Sequence, residues 1–382
     1  MDILTDKDME RLVRSVFPPH PDDRRLGILV DIPREPVDDT AGWRERRNMS
    51  VEWYHTFKRI RSSLNLDDIN LIAYPDVGSN NAELPENGFI IKGQLPSTSQ
   101  DLIKSGAIRS FEDIFRNTQI IFAPTQYSAT APLKVAARLY KFRAATMPGF
   151  SIGMIPTLKL DYSEVNRRVL QLKERLDRAL GADVHFVVDG DENLEVYFDL
   201  RFRTAHASTG RFPEQGTAGN LPSGEAYIVP YEGERDEASR TEGVLPVQIR
   251  DEVVLFQVRH NRAVDVEGFD PAARIEREHL SREPAYGNMA ELGFGVLADL
   301  GIQPSGAILL DEKLGFHVAF GRSEHFGGAV GPADFSSPNE VVHLDRIYIP
   351  TTQPRVSVNS LVLLYEMNRG EIILEDGKYL IF

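Results

Sequence analysis

Short apolar runs separated by helix-like stretches fill the first half of the chain. The runs LGILVDI (26–32), INLIAYP (69–75), TQIIFAP (118–124) and FRAAT (142–146) alternate with stretches of helical character at 43–62 and 129–140. Strands that alternate with helices at this spacing are typical of a parallel sheet with crossover helices. The pattern therefore predicts an α/β domain over residues 1–180.

A long helix is predicted at the end of this domain, over residues 162–180, because its apolar residues recur three or four positions apart. These residues are Val165, Val169, Leu172, Leu176 and Leu180. One face of the helix is expected to be buried and the other exposed. Gly181 follows directly, at a position where a helix-terminating glycine is common.

The pattern changes after Gly181 to short strands, turns and glycines. Strands are predicted at 184–188, 194–202, 225–230, 306–310 and 316–321. The end of the chain is predicted to form a hairpin around Asp376 and Gly377, because Asp-Gly is a preferred pair in two-residue hairpin loops. Residues 181–382 are therefore expected to form a β-rich α+β domain, and the candidate chemistry described below makes it the metal-binding, catalytic one.

Length, charge and composition narrow the class of protein. A chain of 382 residues exceeds the size at which one hydrophobic core usually stops growing, which favours two domains. The net charge of -14 disfavours nucleic acid and anionic membranes as partners. The N-terminal segment MDILTDKDMERLV is acidic and polar, unlike a signal peptide, and no apolar run approaches the length of a membrane span. We therefore expect a cytoplasmic protein.

The absence of cysteine restricts the chemistry further. It excludes disulfides, thiolate nucleophiles and sulfur-rich zinc sites. Any metal must therefore be bound by histidine, aspartate or glutamate side chains.

The first candidate ligands are His343 and Asp345, within the strand-like run VVHLDRIYI. Residues two apart in a strand project from the same face, so the imidazole and the carboxylate are expected to lie side by side. That placement suits a metal ion. The alternative is a hydrogen-bonded His–Asp pair on a solvated sheet face.

His317 is the strongly polar side chain of the apolar run GFHVAFG. A lone histidine in such a strand is often a core residue with satisfied hydrogen bonds. Together with His343 and Asp345, however, it completes a set of two histidines and one carboxylate. Imidazole and carboxylate ligands suit iron, zinc, cobalt and manganese.

Two glutamates occur in similarly apolar surroundings. Glu225 follows Gly224 and leads into a predicted strand, and Glu291 lies within MAELGFG. An ionised carboxylate there costs several kcal/mol unless a cation or a hydrogen-bond donor compensates it. Each glutamate alone can be explained as a loop carboxylate that caps backbone N–H groups. Beside two histidines and an aspartate, they are sufficient to hold two divalent ions about 3.5–4 Å apart.

Four segments in this order carry a family resemblance: NLPSGE (220–225), AELGFG (290–295), GAILLDEKLGFHVAFG (306–321) and HLD (343–345), with ATMPG (145–149) upstream. Together they resemble the thermophilic-type metallo-aminopeptidases (peptidase family M29, aminopeptidase T and S). The similarity covers residues 130–350. The combination of segments is specific, although each one alone is a weak signal.

The resemblance implies a two-metal exopeptidase in which Glu225, Glu291, His317, His343 and Asp345 bind the metal ions. It also implies a homodimer. The family has a catalytic tyrosine a few residues after the third ligand, whereas this chain has GRSEHFGG at 321–328 and offers Glu324 and His325 instead. A relative with the same architecture, the iron-dependent 2,5-dihydroxypyridine dioxygenase, indicates that such a scaffold can also cleave an aromatic ring.

Two other motifs are considered and rejected. Residues 149–153, GFSIG, fit the pattern of a serine-hydrolase nucleophile elbow, but Pro156 is expected to interrupt the helix that such an elbow requires. The GxGxxG fingerprint of dinucleotide-binding folds is absent after the first predicted strand. No nicotinamide cofactor is therefore expected.

The resulting hypothesis is a metallohydrolase that cleaves an amide or peptide-type bond with metal-activated water. The ligands are Glu225, Glu291, His317, His343 and Asp345, with Glu291 or Asp345 as the bridge, and Glu324 or His325 supplies acid–base catalysis. The metal is one or two ions of zinc, cobalt or manganese, and the substrate is a small molecule or short peptide. One alternative is a ring-cleaving Fe(II) dioxygenase that uses His317, His343 and Asp345. Another is a catalytically silent relative that binds a small molecule.

Overall fold

The computed structural model describes residues 4–382, apart from the side chain of Asn368. The first three residues, part of the N-terminal segment discussed above, lie outside the described part. The first half contains, in order, α1 (Asp6–Val16), β1 (Arg25–Ile32), α2 (Ala41–Ile60), β2 (Asp68–Pro75), β3 (Asn87–Ile91), α3 (Leu102–Ser105), β4 (Gly106–Ser110), α4 (Phe111–Arg116), β5 (Ile120–Ala123), α5 (Thr130–Tyr140), β6 (Arg143–Thr146), α6 (Ile155–Leu158) and α7 (Tyr162–Arg178).

The second half is dominated by strands. It contains β7 (Gly181–Val188), β8 (Glu192–Asp199), β9 (His206–Ser208), β10 (Ala218–Asn220), β11 (Glu225–Ile228), β12 (Glu242–Ile249), β13 (Glu252–Arg259), β14 (Arg262–Glu267), α8 (Pro271–Arg282), β15 (Met289–Gly295), α9 (Ile308–Asp311), β16 (Phe316–Gly321), β17 (His343–Ile347), β18 (Val356–Tyr365), β19 (Arg369–Glu375) and β20 (Lys378–Tyr379).

The chain forms two compact units, and the first is built on one seven-stranded sheet. This unit comprises the residues up to Asn166 together with Ser208–Ser223. Its strands follow the order β10-β6-β5-β1-β2-β3-β4, in which β10, β6, β5, β1 and β2 are parallel and β3 and β4 pair antiparallel. The predicted parallel α/β sheet is confirmed. Its core includes Leu29, Ile72, Phe115, Ile121, Leu133 and Ala144.

The second unit comprises Arg167–Ala207 and Gly224–Phe382 and contains two antiparallel sheets. An eight-stranded sheet has the order β14-β13-β12-β8-β7-β18-β19-β20, and a five-stranded sheet has the order β17-β16-β15-β11-β9. The predicted β-rich character of this part is confirmed, as is the final hairpin, in which β19 pairs with β20. The two sheets meet through aromatic contacts such as Phe256–Phe320, with ring centroids 5.0 Å apart.

The path of the chain between the units is more complex than the sequence pattern predicts. The pattern predicts one change near residue 180, whereas the chain leaves the first unit within α7 and returns to it for residues 208–223. The returning segment supplies β10, which pairs in parallel with β6. A strand of three residues has too little periodicity to be recognised. The assignment of separate roles to the two domains stays a prediction.

Three local predictions are wrong. Residues 306–310 are not a strand, since the Asp311 carboxylate accepts N–H groups from Ser305 and Gly306 and α9 begins at Ile308. Gly181 begins β7, where a Cβ would lie 2.4 Å from the Tyr197 hydroxyl. Pro156 lies in the first turn of α6, where the missing N–H costs nothing, so it does not interrupt the helical turns. Short apolar runs do not by themselves distinguish strand from helix.

Among residues 4–382, no helix combines the length and the apolar character needed to cross a bilayer.

A buried carboxyl group lies near the end of β1. Asp31 is 1% exposed and accepts backbone N–H groups from Gln126 at 2.8 Å and Tyr127 at 3.0 Å. Burial raises the pKa of Asp31 to about 6, although these hydrogen bonds oppose the shift. The folded protein therefore binds this proton more tightly than the unfolded chain does.

We expect the free energy of unfolding to fall as pH rises from about 4 to about 6, because the folded-state pKa of Asp31 exceeds its unfolded value. The contribution is at most about 3 kcal/mol at 1.36 kcal/mol for each pKa unit. Asp31→Asn should remove this part of the pH dependence, whereas Asp67→Asn at an exposed position should not. Urea denaturation across this pH range measures it. Identical slopes for Asp31→Asn and the wild type would contradict the assignment.

Candidate metal centre

The five-stranded sheet of the second unit separates apolar and polar residues onto opposite faces. Strands β11, β15 and β16 turn one face to the protein interior, with the buried residues Ala226, Ile228, Leu292, Phe294, Phe316, Val318 and Phe320. Side chains alternate along a strand, so the residues between these project from the other face. That face carries all five predicted ligands: Glu225, Glu291, His317, His343 and Asp345.

Strand register brings the ligands together from distant parts of the sequence. Ala319 of β16 pairs with Glu291 of β15 on one side and with Asp345 of β17 on the other. His317 lies opposite Gly293, and His343 lies opposite Gly321. Cross-strand partners lie about 4.5–5.5 Å apart. The donors are therefore placed by three antiparallel pairings.

Small residues between the ligands leave room for their side chains. A Cβ added to Gly293 would lie 1.9 Å from Nε2 of His317, so the imidazole lies across the position of the missing side chain. A Cβ on Gly295 would lie 2.2 Å from the Lys313 carbonyl carbon. The AELGFG segment thus contributes a ligand and also the space that two neighbouring groups occupy.

The donor atoms fall into two groups that share Glu291. Glu225, Glu291 and His317 form one group, here called the inner donor group because all three are buried. Glu291, His343 and Asp345 form the outer donor group, in which the last two are half-buried. In each group, one ligand atom from every residue lies within 4.8 Å of the others. The two carboxylate oxygens of Glu291 face different groups.

Three of the four nitrogen–oxygen separations within the groups are longer than a usual hydrogen bond and are close to those between ligands of a common ion. His317 Nε2 lies 3.5 Å from Glu291 Oε1 and 3.8 Å from Glu225 Oε2. His343 Nε2 lies 3.2 Å from Glu291 Oε2 and 3.5 Å from Asp345 Oδ1. N–H···O hydrogen bonds are usually 2.7–3.2 Å long. Ligand atoms held about 2.0–2.2 Å from one ion in a tetrahedron lie roughly 3.3–3.6 Å apart.

Backbone carbonyls orient both imidazoles. Nδ1 of His343 lies 2.8 Å from the carbonyl oxygen of Arg322, and Nδ1 of His317 lies 3.4 Å from that of Gly315. A carbonyl only accepts, so Nδ1 carries the proton in each contact. Nε2 then presents its lone pair to the carboxylates when the ring is neutral, which is the usual arrangement of metal-binding histidines.

An unpaired oxygen provides a direct test of whether these residues fit a cation. Glu225 Oε2 is buried and has no hydrogen-bond partner among the described residues. Leaving such a group unsatisfied costs about 1–3 kcal/mol, and more when it is charged. This oxygen faces His317 within the inner donor group. A divalent ion at that position would satisfy it, and the nitrogen and oxygen donors suit zinc, cobalt, manganese or Fe(II).

The titration behaviour of the cluster shows the same demand for positive charge. Burial lowers the pKa of His343, but hydrogen bonds and charge from Asp345 and Glu291 outweigh burial and raise it to about 11. The pKa of His317 rises to about 9 for the same reason, with Glu291 as the main partner. Burial raises the pKa of Glu291, yet the two histidines hold it well below its usual range.

Two charged residues beside the inner donor group were not anticipated. The Lys313 ammonium donates to Glu225 and to Glu312, and the carboxylates outweigh burial and hold the pKa of Lys313 well above its usual range. Burial raises the pKa of Glu312 to about 7 despite the lysine. Both lie in GAILLDEKLGFHVAFG, where charged residues in an apolar run are a signal that sequence reasoning can use.

Glu324 and His325, the predicted acid–base residues, lie on a short 3₁₀ turn after β16. Arg322 binds Glu324 through two hydrogen bonds of 2.6 and 2.7 Å and lowers its pKa. The His325 ring lies against His343, with centroids 5.2 Å apart. Burial, together with the charge of His343, lowers the pKa of His325 to about 4, so this imidazole is neutral at pH 7.

Tyr227 is a further residue that sequence reasoning missed. It follows Glu225 by two positions on β11 and therefore projects from the donor face. Its ring contacts Phe326, with centroids 4.8 Å apart. Burial, with Glu291 and Glu225 nearby, raises its pKa, so the phenol keeps its proton.

The fold and the donor groups together define this chain as a two-unit α/β protein with a candidate metal centre in its β-rich part. No family model matches the sequence, and no curated protein matches it. Among solved structures, the chain is similar to 2,5-dihydroxypyridine dioxygenase from Pseudomonas putida KT2440, with a TM-score of 0.58 and 11% identity over 99% of this chain and 98% of that one.

A second solved structure has the same overall fold. The chain is similar to wild-type AmpT from Thermus thermophilus, with a TM-score of 0.52 and 14% identity over 98% of both chains. At these identities the likeness shows the fold. The resemblance stated from the sequence is therefore confirmed at the level of the fold, and the activity is a separate question.

We expect Gly293→Ala to weaken metal binding at the inner donor group, because the new Cβ would occupy the position of His317 Nε2. Losing the orientation of a ligand typically costs 10–100-fold in affinity. Titration with Co²⁺, followed by visible absorption, measures the effect, and circular dichroism checks the fold. Gly42→Ala is the matched control, since its Cβ would approach no atom closer than 3.7 Å. Unchanged Co²⁺ binding by folded Gly293→Ala would contradict the arrangement.

Proposed function

We propose that this protein is a metal-dependent hydrolase of an amide or peptide-type bond. The observation that carries the proposal is the shared carboxylate: Glu291 belongs to both donor groups and turns one oxygen to each. Two-metal hydrolytic sites place two ions about 3.5–4 Å apart. A carboxylate between two groups of donors suits that spacing.

The five predicted ligands would hold the metal, with Glu291 as the bridge. Glu225 and His317 complete one position, and His343 and Asp345 complete the other. Zinc, cobalt or manganese suits this donor set. When bound, a divalent ion supplies acidified water and a polarised carbonyl.

The remaining polar groups bind and orient the substrate and handle protons. His325 is a neutral imidazole next to His343, and its ring is suited to donate a hydrogen bond to the substrate or to accept one. Glu324 is engaged by Arg322, which makes it the weaker candidate. Tyr227 presents a phenol on the donor face and is suited to hydrogen-bond a developing oxyanion.

The second candidate function is ring cleavage by an Fe(II) dioxygenase, which the likeness to the Pseudomonas putida enzyme favours. The predicted set for that chemistry, His317, His343 and Asp345, is divided between the two donor groups in the described part of the chain. The outer donor group instead offers one histidine and two carboxylates. A catalytically silent relative that binds a small molecule is the third candidate.

The proposal extends to the setting of the enzyme. We propose a small-molecule or short-peptide substrate, a cytoplasmic location and a homodimer, with no nucleic-acid or membrane partner. The acidic surface implied by the net charge of -14 supports the last point.

Metal analysis of protein purified without chelators tests the metal centre. We expect zinc, cobalt or manganese in the wild type, and we expect Glu291→Gln and His343→Ala to remove most of it, because Glu291 serves both groups and His343 orients toward two carboxylates. The fold should persist, as checked by circular dichroism. One iron per chain would favour the oxygenase. Unchanged metal content in both variants would exclude this centre.

We expect leucyl and alanyl anilides to be slow substrates with any added metal, because GRSEHFGG lacks the family tyrosine. Losing an oxyanion donor costs roughly 3–4 kcal/mol, a factor of 10²–10³. His325→Ala should lower the true activity at least about tenfold. Steady-state kinetics measure both effects. Rapid anilide hydrolysis unaffected by His325→Ala would contradict this expectation, and a large loss in Tyr227→Phe would locate the donor on β11.

A further inference from the structure

Lys313 is a buried cation that the proposed hydrolysis does not use. Its side chain is 3% exposed, and its ammonium donates to Oε1 of Glu225 and to Oε1 of Glu312. Glu225 is also a member of the inner donor group, with its other oxygen facing His317. Glu225, a proposed metal ligand, is thus already paired with the ammonium group of Lys313.

The fold keeps Lys313 in this place. Its carbonyl accepts the N–H of Leu297 at 2.9 Å and lies so close to Gly295 that no Cβ fits between them. Gly295 pairs with Glu225 across β15 and β11. The lysine backbone is therefore packed on the strand next to Glu225, and its side chain has a short path to that carboxylate.

The charge of the cluster does not by itself require two divalent ions. Glu225, Glu291, Glu312 and Asp345 supply four carboxylates, and Lys313 supplies one ammonium. Three negative charges remain uncompensated when all four carboxylates are ionised and both imidazoles are neutral. One divalent ion leaves one negative charge, whereas two ions leave one positive charge in a buried site. Excess charge of either sign is costly where water is excluded.

The two donor groups also differ in access and in histidine orientation. The His343 side chain is 20% exposed and its Nδ1 contact with a carbonyl is 2.8 Å, within the hydrogen-bond range. The His317 side chain is 1% exposed and the corresponding contact is 3.4 Å. The outer donor group is therefore more accessible and has the better-oriented imidazole.

We propose that Lys313 makes the two metal positions unequal, so that the outer donor group binds a divalent ion tightly and the inner donor group binds a second ion only weakly. The inference rests on the metal centre of the proposed function. The ammonium competes for Glu225 and repels an ion beside it, because like charges a few ångströms apart in a buried site interact strongly. No lysine contact of this kind is found at Asp345 or His343 in the part of the chain that the structure describes.

Stepwise titration of metal-free full-length protein with Zn²⁺ alone tests this. Calorimetry gives the two dissociation constants, and elemental analysis after dialysis gives the ions retained. We expect the second ion to bind at least about 100-fold more weakly than the first in the wild type. Lys313→Met, which removes the charge and keeps the length, should narrow this ratio at least about tenfold. Lys313→Arg keeps the charge and should keep the ratio.

A second set of variants assigns the tight ion to a position. His317→Ala, in the inner donor group, should retain the first dissociation constant, whereas Asp345→Asn, in the outer donor group, should weaken it at least about tenfold. Lys313→Gln repeats the charge removal with a side chain that still donates a hydrogen bond to Glu225, in case Lys313→Met does not fold. Circular dichroism confirms the fold of each variant.

The outcomes separate this inference from the proposed activity. Two ions of equal affinity in the wild type, or an unchanged ratio in folded Lys313→Met or Lys313→Gln, would overturn the inference and leave the hydrolase proposal standing. Unequal binding that depends on Lys313, without hydrolysis of any amide substrate, would support the inference and overturn the hydrolase. Absence of Zn²⁺ binding would overturn both.

Discussion

The central constraint in this protein is the burial of several carboxylates on one face of the five-stranded sheet. Glu291 is buried between His317 and His343, and each of its oxygens faces one imidazole. Buried carboxylates require positive charge or hydrogen-bond donors, because the interior solvates them poorly. Both histidines have raised pKa values for this reason. The Lys313 ammonium supplies positive charge to the buried carboxylates, and the proposed metal ions would do the same.

The opposite face of the sheet meets a different requirement. Phenylalanines from β15 and β16 are buried there and contact aromatic residues of the eight-stranded sheet, as Phe320 does with Phe256. A fully buried phenylalanine side chain stabilises the fold by roughly 1.5–3 kcal/mol. The apolar face thus holds the strands in register while the polar face carries the donors. Glycine is required at position 293, because any side chain there would displace the imidazole of His317.

The same scaffold is consistent with more than one reaction, and the local groups distinguish them. A shared Glu291 suits two ions, and solved structures of similar fold include a dioxygenase and AmpT. Lys313 bears on the number of metal ions, because its positive charge beside Glu225 reduces the need for a second ion. We therefore expect substitution of Lys313 to change how many metal ions this site binds.

The sequence by itself predicted the alternation of elements in the first half and named the candidate donors that the structure brings together. His343 and Asp345 are two positions apart in a strand, so their common face follows from local geometry alone. The tertiary structure decided everything that depends on register between distant strands. Lys313 meets Glu225 across 88 residues of sequence, and Tyr227 meets Phe326 across a similar distance. Periodicity reports which face a residue occupies, but only the pairing of strands determines its neighbours.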